Sequence, residues 1–197
     1  QLGAQARAFN AIREVVGALN AAIVRIRERQ ELFGEFCRIA VSQGGFVLAR
    51  IIEIDRDAKA RIAASTEQDS RLLQAMVDDY NRDPAGADSL FALAARSGER
   101  VISDDIANDP RARNRAALTL EGNFALALLP VFVDKRVACI VVLRARDGGF
   151  LDQEELRLLS EMVSNISFAL ELIDKQDRIT YLALYDPLTE LPNRTLF

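Results

Sequence analysis

Hydrophobic side chains recur at steps of three and four residues in two long stretches, one near each end of the chain. The steps run three, four, three, four, three in residues 4–29 and again from Asp152 to Tyr185. This is the spacing by which helices pair along one face. No glycine or proline interrupts the second stretch before Pro187. It therefore predicts one helix of roughly 33 residues, about 50 Å long at 1.5 Å per residue.

The two apolar ladders allow two arrangements. The helices pack on each other and cover one sheet within a chain, or they pair with a twin in a parallel homodimer. We take the homodimer as the working hypothesis, and its contact and signalling face would consist of Phe9, Ile12, Val16, Leu19, Ile23, Leu156, Leu159, Val163, Ile166, Leu170 and Ile173.

Between the ladders the pattern changes several times from helical to strand spacing. Helices are predicted over residues 30–43, 68–83 and 89–96, with a short one near 111–119. Strands are predicted over residues 46–55, 61–66, 100–103, 124–133 and 137–144. This order predicts an α+β fold, an antiparallel sheet with helices on both faces and long helices at each end.

Composition narrows the classes of function. The net charge is −4, so no basic surface suggests a nucleic acid or anionic membrane partner. No apolar run reaches the roughly 18 to 20 residues of a membrane span. Histidine is absent, which excludes His-dependent catalytic triads, His metal ligands and a proximal-His haem. We expect a cytoplasmic chain with no metal and no identifiable cofactor.

The middle of the chain resembles a GAF domain. The residues that carry the resemblance are 101–106 (Val-Ile-Ser-Asp-Asp-Ile), Asp109-Pro110-Arg111, the Ala-Leu-Leu-Pro of 127–130, the strand 137–143 and Phe150-Leu151-Asp152-Gln153-Glu154-Glu155-Leu156. The match spans roughly residues 30–175, and it implies a sensory domain with a small-molecule pocket between the sheet and the helices and loops of one face.

The C-terminal residues resemble the opening of a GGDEF domain, the fold of diguanylate cyclases. Residues 186–194 read Asp-Pro-Leu-Thr-Glu-Leu-Pro-Asn-Arg, against the family pattern D-x-L-T-G-L-P-N-R. The departure is Glu190, where the family has a glycine that gives backbone freedom at a tight turn.

Together the two resemblances imply a sensor that signals through a helix to a GGDEF output domain in cyclic di-GMP signalling. The expected division is an N-terminal helix over residues 1–29, the GAF domain over 30–175, a signalling helix over 152–185 and the start of a GGDEF domain over 186–197. The chain itself is expected to lack catalytic activity, while its parent protein would make or degrade cyclic di-GMP. The alternatives are a dimerisation module without a ligand, or a cysteine-dependent enzyme of the GAF-fold methionine sulfoxide reductase type.

Candidate ligand contacts lie in three places. Arg50 shares its face of the first predicted strand with the apolar Leu48 and Ile52, and there it would bind a carboxylate or phosphate of a ligand or pair with a protein acid. The acidic loop that contains Asp104, Asp105, Asn108 and Asp109 would bind a hard cation through oxygen ligands, or its side chains would cap turns. The remaining candidates lie where a GAF pocket is covered: Arg113, Asn114, Arg115, Thr119, Glu121 and Asn123.

The two cysteines lie far apart, at Cys37 and Cys139. Cys139 sits in an apolar strand, where cysteine behaves as a small hydrophobic residue. A disulfide between them is possible but is not implied by their spacing.

Overall fold

The computed structural model describes residues 2–67, 71–113, 124–146 and 153–193. Its helices are α1 (Leu2–Ile23), α2 (Arg29–Ser42), α3 (Arg71–Arg82), α4 (Leu90–Ser97) and α5 (Gln153–Leu184), and its strands are β1 (Leu48–Ile54), β2 (Ala60–Ser65), β3 (Val101–Ser103), β4 (Ala125–Val133) and β5 (Arg136–Ala145). Each strand and each long helix predicted within the described residues is present, and the α+β class is confirmed. The short helix predicted near 111–119 and the first residues of the C-terminal ladder fall outside the described residues.

The five strands form one antiparallel sheet in the order β2-β1-β5-β4-β3. The pairs β1–β2 and β4–β5 are hairpins. The second turns through Asp134 and Lys135, both with positive φ, as a tight turn between right-twisted strands requires. Strands β1 and β5 lie far apart in the sequence but pair with each other inside the sheet, so residues distant in sequence become neighbours there.

One face of the sheet is covered by α1, α2 and α5. The ladder residues Ile12, Val16, Leu19, Leu159, Ile166, Leu170 and Ile173 are buried there, and Phe9, Ile23, Leu156 and Val163 are partly buried. The two ladders therefore pack on each other and on the sheet within one chain, which is the first of the two predicted arrangements. The residues expected to contact a second chain instead form this chain's own core. Association of two chains remains a prediction.

The other face carries the shorter helices α3 and α4 and a second apolar core. In this core Tyr80 of α3 packs edge-on against Phe91 of α4, with ring centroids 5.0 Å apart. Ser89 begins α4 by accepting a hydrogen bond from the amide of Ala92, and Gly98 ends it in the left-handed conformation. These local signals explain why this short helix has well-defined ends.

The last third of α5 leaves the body of the domain. Every residue from Lys175 to Ala183 is exposed. The helix then ends in a turn around Asp186, whose carboxylate accepts hydrogen bonds from the amides of Leu188 (2.8 Å) and Thr189 (3.1 Å). Glu190 has φ +56°, the left-handed conformation for which a glycine would be preferred. The turn thus keeps the geometry predicted for glycine although the residue is glutamate.

Within the described part of the chain, we find no helix whose length and apolar character would suit it to spanning a bilayer.

Candidate functional site

The predicted ligand contacts converge at one end of the sheet, which we call the loop end. It is the edge where β1 and β4 begin and where β2, β3 and β5 end. Ser103 pairs with Leu126, Leu126 with Arg144, and Arg144 with Leu48 in one row across four strands. Arg50 lies two residues further along β1, on the same face of the strand as Leu48. The loop end therefore brings polar side chains to the face that carries α3 and α4.

Arg50 lies at this end with its side chain only 11% exposed. Its Nε donates to Ser65 Oγ at 3.1 Å, and its Nη2 forms an ion pair with the Glu67 carboxylate. Burial lowers the pKa of Arg50 and the charge of Arg144 adds to this lowering, whereas Glu67 acts in the opposite direction. The structure thus shows the protein acid that pairs with Arg50, and a role for Arg50 in binding a ligand stays a prediction.

Arg144 is a residue that the sequence interpretation did not single out. Its guanidinium carbon lies 4.3 Å from the centroid of the Phe124 ring, a cation–π contact. Alternation along β5 places it on the same face as Ile140 and Val142 of the second core. This alternation was a usable signal, but only the β1–β5 pairing places Arg144 beside Arg50.

The acidic loop after β3 uses its side chains for turns. The carboxylate of Asp105 accepts hydrogen bonds from the backbone amide of Asn108 at 3.2 Å and from its side-chain amide at 2.7 Å. Asp104 is exposed. Within the described ranges, no cluster of His, Cys, Asp and Glu is suited to hold a metal ion. The capping and turn interpretation of this loop therefore agrees with the geometry better than the cation site.

Asp109 is the buried acid of this loop, with 7% of its surface exposed. Arg111 binds both carboxylate oxygens, at 3.0 and 2.7 Å, and also donates to the carbonyl of Ile102 at 2.6 Å. The hydrogen bonds from Arg111 hold the pKa of Asp109 well below its ordinary value, against the effect of burial. Residues from Ile102 to Arg111 line an open polar cavity of about 320 Å³.

The remaining predicted contacts are only partly described. Arg113 forms an ion pair with Asp88 at 2.5 Å, and both side chains are largely exposed, so the pair contributes little to stability. The predicted contacts Asn114, Arg115, Thr119, Glu121 and Asn123 lie outside the described residues.

A comparison with known protein families gives one match, to the GAF domain, over residues 26–171. The chain belongs to the GAF domain family. Among curated protein sequences, none matches it significantly.

Solved structures with the same fold show little sequence identity to this GAF domain. The GAF domain of a phosphoenolpyruvate-protein phosphotransferase from Coxiella burnetii is 11% identical, with a TM-score of 0.67, and the alignment covers 88% of this chain and 98% of that chain. A free methionine-R-sulfoxide reductase from Neisseria meningitidis, solved with its substrate, is 12% identical, with a TM-score of 0.65 and coverage of 84% and 91%. Residues 122 to 287 of a methyl-accepting chemotaxis protein are 12% identical, with a TM-score of 0.59 and coverage of 80% and 98%. At these identities the likeness establishes the fold alone.

Both thiols of this GAF domain lie in the core under α1, α2 and α5, away from the face that carries α3 and α4. Cys37 and Cys139 are free and buried, with 3% and 0% of their surfaces exposed. Burial raises the pKa of each thiol to about 12. A nucleophilic cysteine needs the opposite, a lowered pKa and access to substrate. This placement disfavours a thiol enzyme.

An ion cluster joins the GAF sheet to α5 where that helix leaves the domain. Arg29 donates to both carboxylate oxygens of Asp174, at 3.0 and 3.1 Å, and to Glu53 of β1 at 2.5 Å. Arg61 of β2 forms a second ion pair with Glu53. Although burial alone would lower the pKa of Arg29, the hydrogen bonds and charges of Asp174 and Glu53 raise it. The last buried residue of α5, Ile173, is next to this cluster in sequence, so the body of the domain holds the helix up to this point.

Proposed function

We propose that this GAF domain is the sensory module of a cyclic di-GMP signalling protein, in which binding of a small molecule or partner is passed through α5 to a GGDEF output domain. The observation that carries the proposal is the course of α5. The helix is buried against β4 and α1 as far as Ile173 and then extends, exposed, to Leu184. One rigid element therefore contacts the sensory sheet and ends at the residues that resemble a GGDEF start.

The turn that follows α5 supports the resemblance. Asp186 accepts two backbone hydrogen bonds, and its own amide donates to the carbonyl of Leu191 at 2.8 Å. Asn193 donates to the carbonyl of Ala183 from its side chain and to that of Leu184 from its backbone, at 2.6 and 2.8 Å. The aspartate and asparagine of the D-x-L-T-x-L-P-N pattern thus each have a physical reason to be present, because both close the helix end.

The same proposal includes a homodimer formed along the exposed part of α5. Large apolar side chains at Phe168, Leu172, Ile179 and Leu182 are 59%, 47%, 61% and 45% exposed. They follow one another at steps of four, seven and three residues, which is heptad spacing on a different face from the buried ladder. Pairing of two such faces would hold two output domains in a defined orientation. A ligand that binds one orientation more tightly than another would then control the rate of the reaction that the output domains catalyse.

We propose the division of the chain given above: the helix of residues 1–29, the GAF domain of 30–175, the signalling helix of 152–185 and the output start of 186–197. We also propose a cytoplasmic location, and no catalysis by residues 1–197 alone. Conversion of GTP by the purified chain would contradict the last point.

The proposal is tested in a chimera in which residues 1–185 precede a complete GGDEF domain of a known cyclase. We would insert one full heptad after Gln176, in the exposed part of α5, and compare it with an insertion of four residues at the same place. The full heptad keeps the apolar face in phase and should retain the cyclase rate, whereas the four-residue insertion rotates that face and should change the rate. A rate that is the same in both chimeras, and equal to that of the output domain alone, would contradict signalling through α5.

Ligand binding is tested separately, by native mass spectrometry of the purified chain. A dimer that carries extra mass supports the sensor. A dimer without added mass, which also fails to bind any compound tested, supports the alternative of a dimerisation module without a ligand.

A further inference from the structure

We infer that Arg50 and Arg144 form a subsite for the carboxylate of a small organic acid at the loop end of the sheet, and that the Glu67 carboxylate occupies this subsite when the acid is absent. The inference rests on the proposed function, since it names the chemical class of the small molecule that the GAF domain would bind.

The first step is the position of Arg50. Its neighbours on the same face of β1 are Leu48 and Ile52, which are 4% and 1% exposed. A guanidinium at such a position costs desolvation energy that an apolar side chain would avoid. The ion pair with Glu67, whose side chain is 41% exposed, offsets part of this cost. A function in binding an anion accounts for the charge.

The second step concerns the N–H donors of Arg50 that have no acceptor within the described residues. A guanidinium offers five N–H donors in a planar fork that matches a carboxylate with two parallel hydrogen bonds. Here Nε donates to Ser65 and Nη2 pairs with Glu67, while Nη1 donates to no group within the described residues. Glu67 thus takes part of the fork and leaves donors for a second anion or for a replacement.

The third step is the nature of Glu67 as a partner. It lies after the end of β2, and its side chain is 41% exposed, whereas that of Arg50 is 11% exposed. A carboxylate on an exposed, flexible side chain at the end of a strand can swing into water at little cost, because it regains hydration there. Arg50 cannot leave in the same way, since β1 is an inner strand of the sheet, paired with β2 on one side and β5 on the other. When a ligand carboxylate takes the place of the Glu67 carboxylate, the positive charge of Arg50 therefore stays paired.

The fourth step is the second arginine. Arg144 lies on the same face of the adjacent strand, diagonal to Arg50, because Arg144 pairs with Leu48 and Arg50 pairs with Val142. The two charges are close enough for Arg144 to lower the pKa of Arg50. The guanidinium carbon of Arg144 lies 4.3 Å from the centroid of the Phe124 ring. An anion between the two guanidinium groups would be attracted by both positive charges, which a neutral ligand would not be.

The surroundings favour an organic acid over a free inorganic anion. Leu48, Leu126 and Val142 share this face with the two arginines. Their apolar side chains would contact the body of a ligand while its carboxylate faces the guanidinium groups. Small-molecule sites usually combine apolar walls with a few polar groups that orient the ligand in this way.

The test is chemical rescue of the Glu67→Ala variant with acetate, read by thermal unfolding and by calorimetric titration. Removal of Glu67 takes the resident carboxylate from Arg50, so acetate should bind the variant roughly tenfold more tightly than the unaltered protein, the factor expected for one lost charge-assisted competitor. The matched control is Glu35→Ala, which removes the acid from the exposed Arg38–Glu35 pair of α2 and should leave acetate binding unchanged. The double variant Glu67→Ala, Arg50→Lys should lose the rescue, because lysine lacks the planar fork.

The subsite proposal would be overturned if acetate had equal effects on the unaltered protein, on Glu67→Ala and on Glu35→Ala. It would also be overturned if acetate still stabilised the double variant that carries Arg50→Lys. The sensor proposal fails independently, when the unaltered protein binds no small molecule in any assay. A neutral ligand found by mass spectrometry, whose affinity is unaffected by Arg50→Lys, would keep the sensor and contradict the carboxylate subsite.

Discussion

The two faces of the sheet bury different kinds of residues. The face under α1, α2 and α5 is a continuous apolar core that contains both ladders and both cysteines. The face under α3 and α4 has its own apolar core, but at the loop end it also holds Arg50, Arg144 and, next to β3, the buried Asp109. Since buried charge is costly unless it is paired or used, this difference between the two faces supports the proposal that the second face binds a ligand, while the first contributes mainly to stability.

The largest effect is expected from a cavity in the helix-covered core. Phe36 of α2 is fully buried there, so Phe36→Ala should lower the free energy of unfolding by about 3–5 kcal/mol. Urea unfolding measures this loss. The control is Val24→Ala, at a residue just after α1 that is 72% exposed, which should change stability by no more than about 0.5 kcal/mol. Similar losses in both variants would mean that Phe36 contributes no more to stability than an exposed side chain does.

A second experiment tests whether the helix-covered core is closed to solvent. Raising a thiol pKa from 9.0 to about 12 reduces the thiolate present at a given pH about a thousandfold. Native protein should therefore react with iodoacetamide at pH 8 at least that much more slowly than protein in denaturant. Fast labelling of either Cys37 or Cys139 in the native state would reopen the thiol-enzyme alternative.

A third, smaller effect is expected from the acid at the loop end. The pKa of Asp109 is lowered in the folded state, so its pairing with Arg111 stabilises the protein above the ordinary aspartate pKa and is lost as the pH falls through the folded-state value. Asp109→Asn should lower stability at neutral pH by about 1–3 kcal/mol. It should also weaken the fall in stability below about pH 4, where the unfolded aspartate begins to bind protons.

The measurement is urea unfolding across the acid range, with Asp104→Asn as the control. Asp104 belongs to the same loop but is exposed, and its substitution should leave both stability and its pH dependence nearly unchanged. Equal behaviour of the two variants would show that the Asp109–Arg111 pair is not a structural element of the loop.

The smallest effect is expected outside both faces, in the turn after α5. Glu190→Gly places the preferred residue at φ +56° and should slow hydrogen exchange of the Asn193 amide roughly fivefold, since the left-handed conformation costs other residues about 1 kcal/mol or more. Leu188→Gly adds a glycine in the same turn without that benefit and should speed the exchange. If both glycines speed it, the backbone strain at Glu190 is negligible.

Sequence by itself determined the elements and their order. Three-four spacing located α1 and α5, strand spacing located β1 and β5, and helical spacing located α4 over about residues 89–96. These signals are local, because hydrogen-bonding periods and caps depend on residues a few positions apart. The GAF fold followed from the order of the elements together with a few short motifs.

Only the tertiary structure decided what each apolar face contacts. Heptad spacing shows that a helix has a face to bury, but a neighbouring helix, a sheet and a second chain satisfy it equally well. The buried ladder of α5 met α1 and β4 in its own chain, and a second apolar face at Phe168 and Ile179 was left exposed.

The site depended on tertiary structure for the same reason. Arg50 was visible in the sequence as a charge in an apolar strand, but Arg144 lies 94 positions away and becomes its neighbour only through the register of β1 with β5. Pairing of distant strands depends on the whole core, because a shift by one residue would exchange the two faces. The sequence contained both charges, and the packing of the sheet placed them side by side.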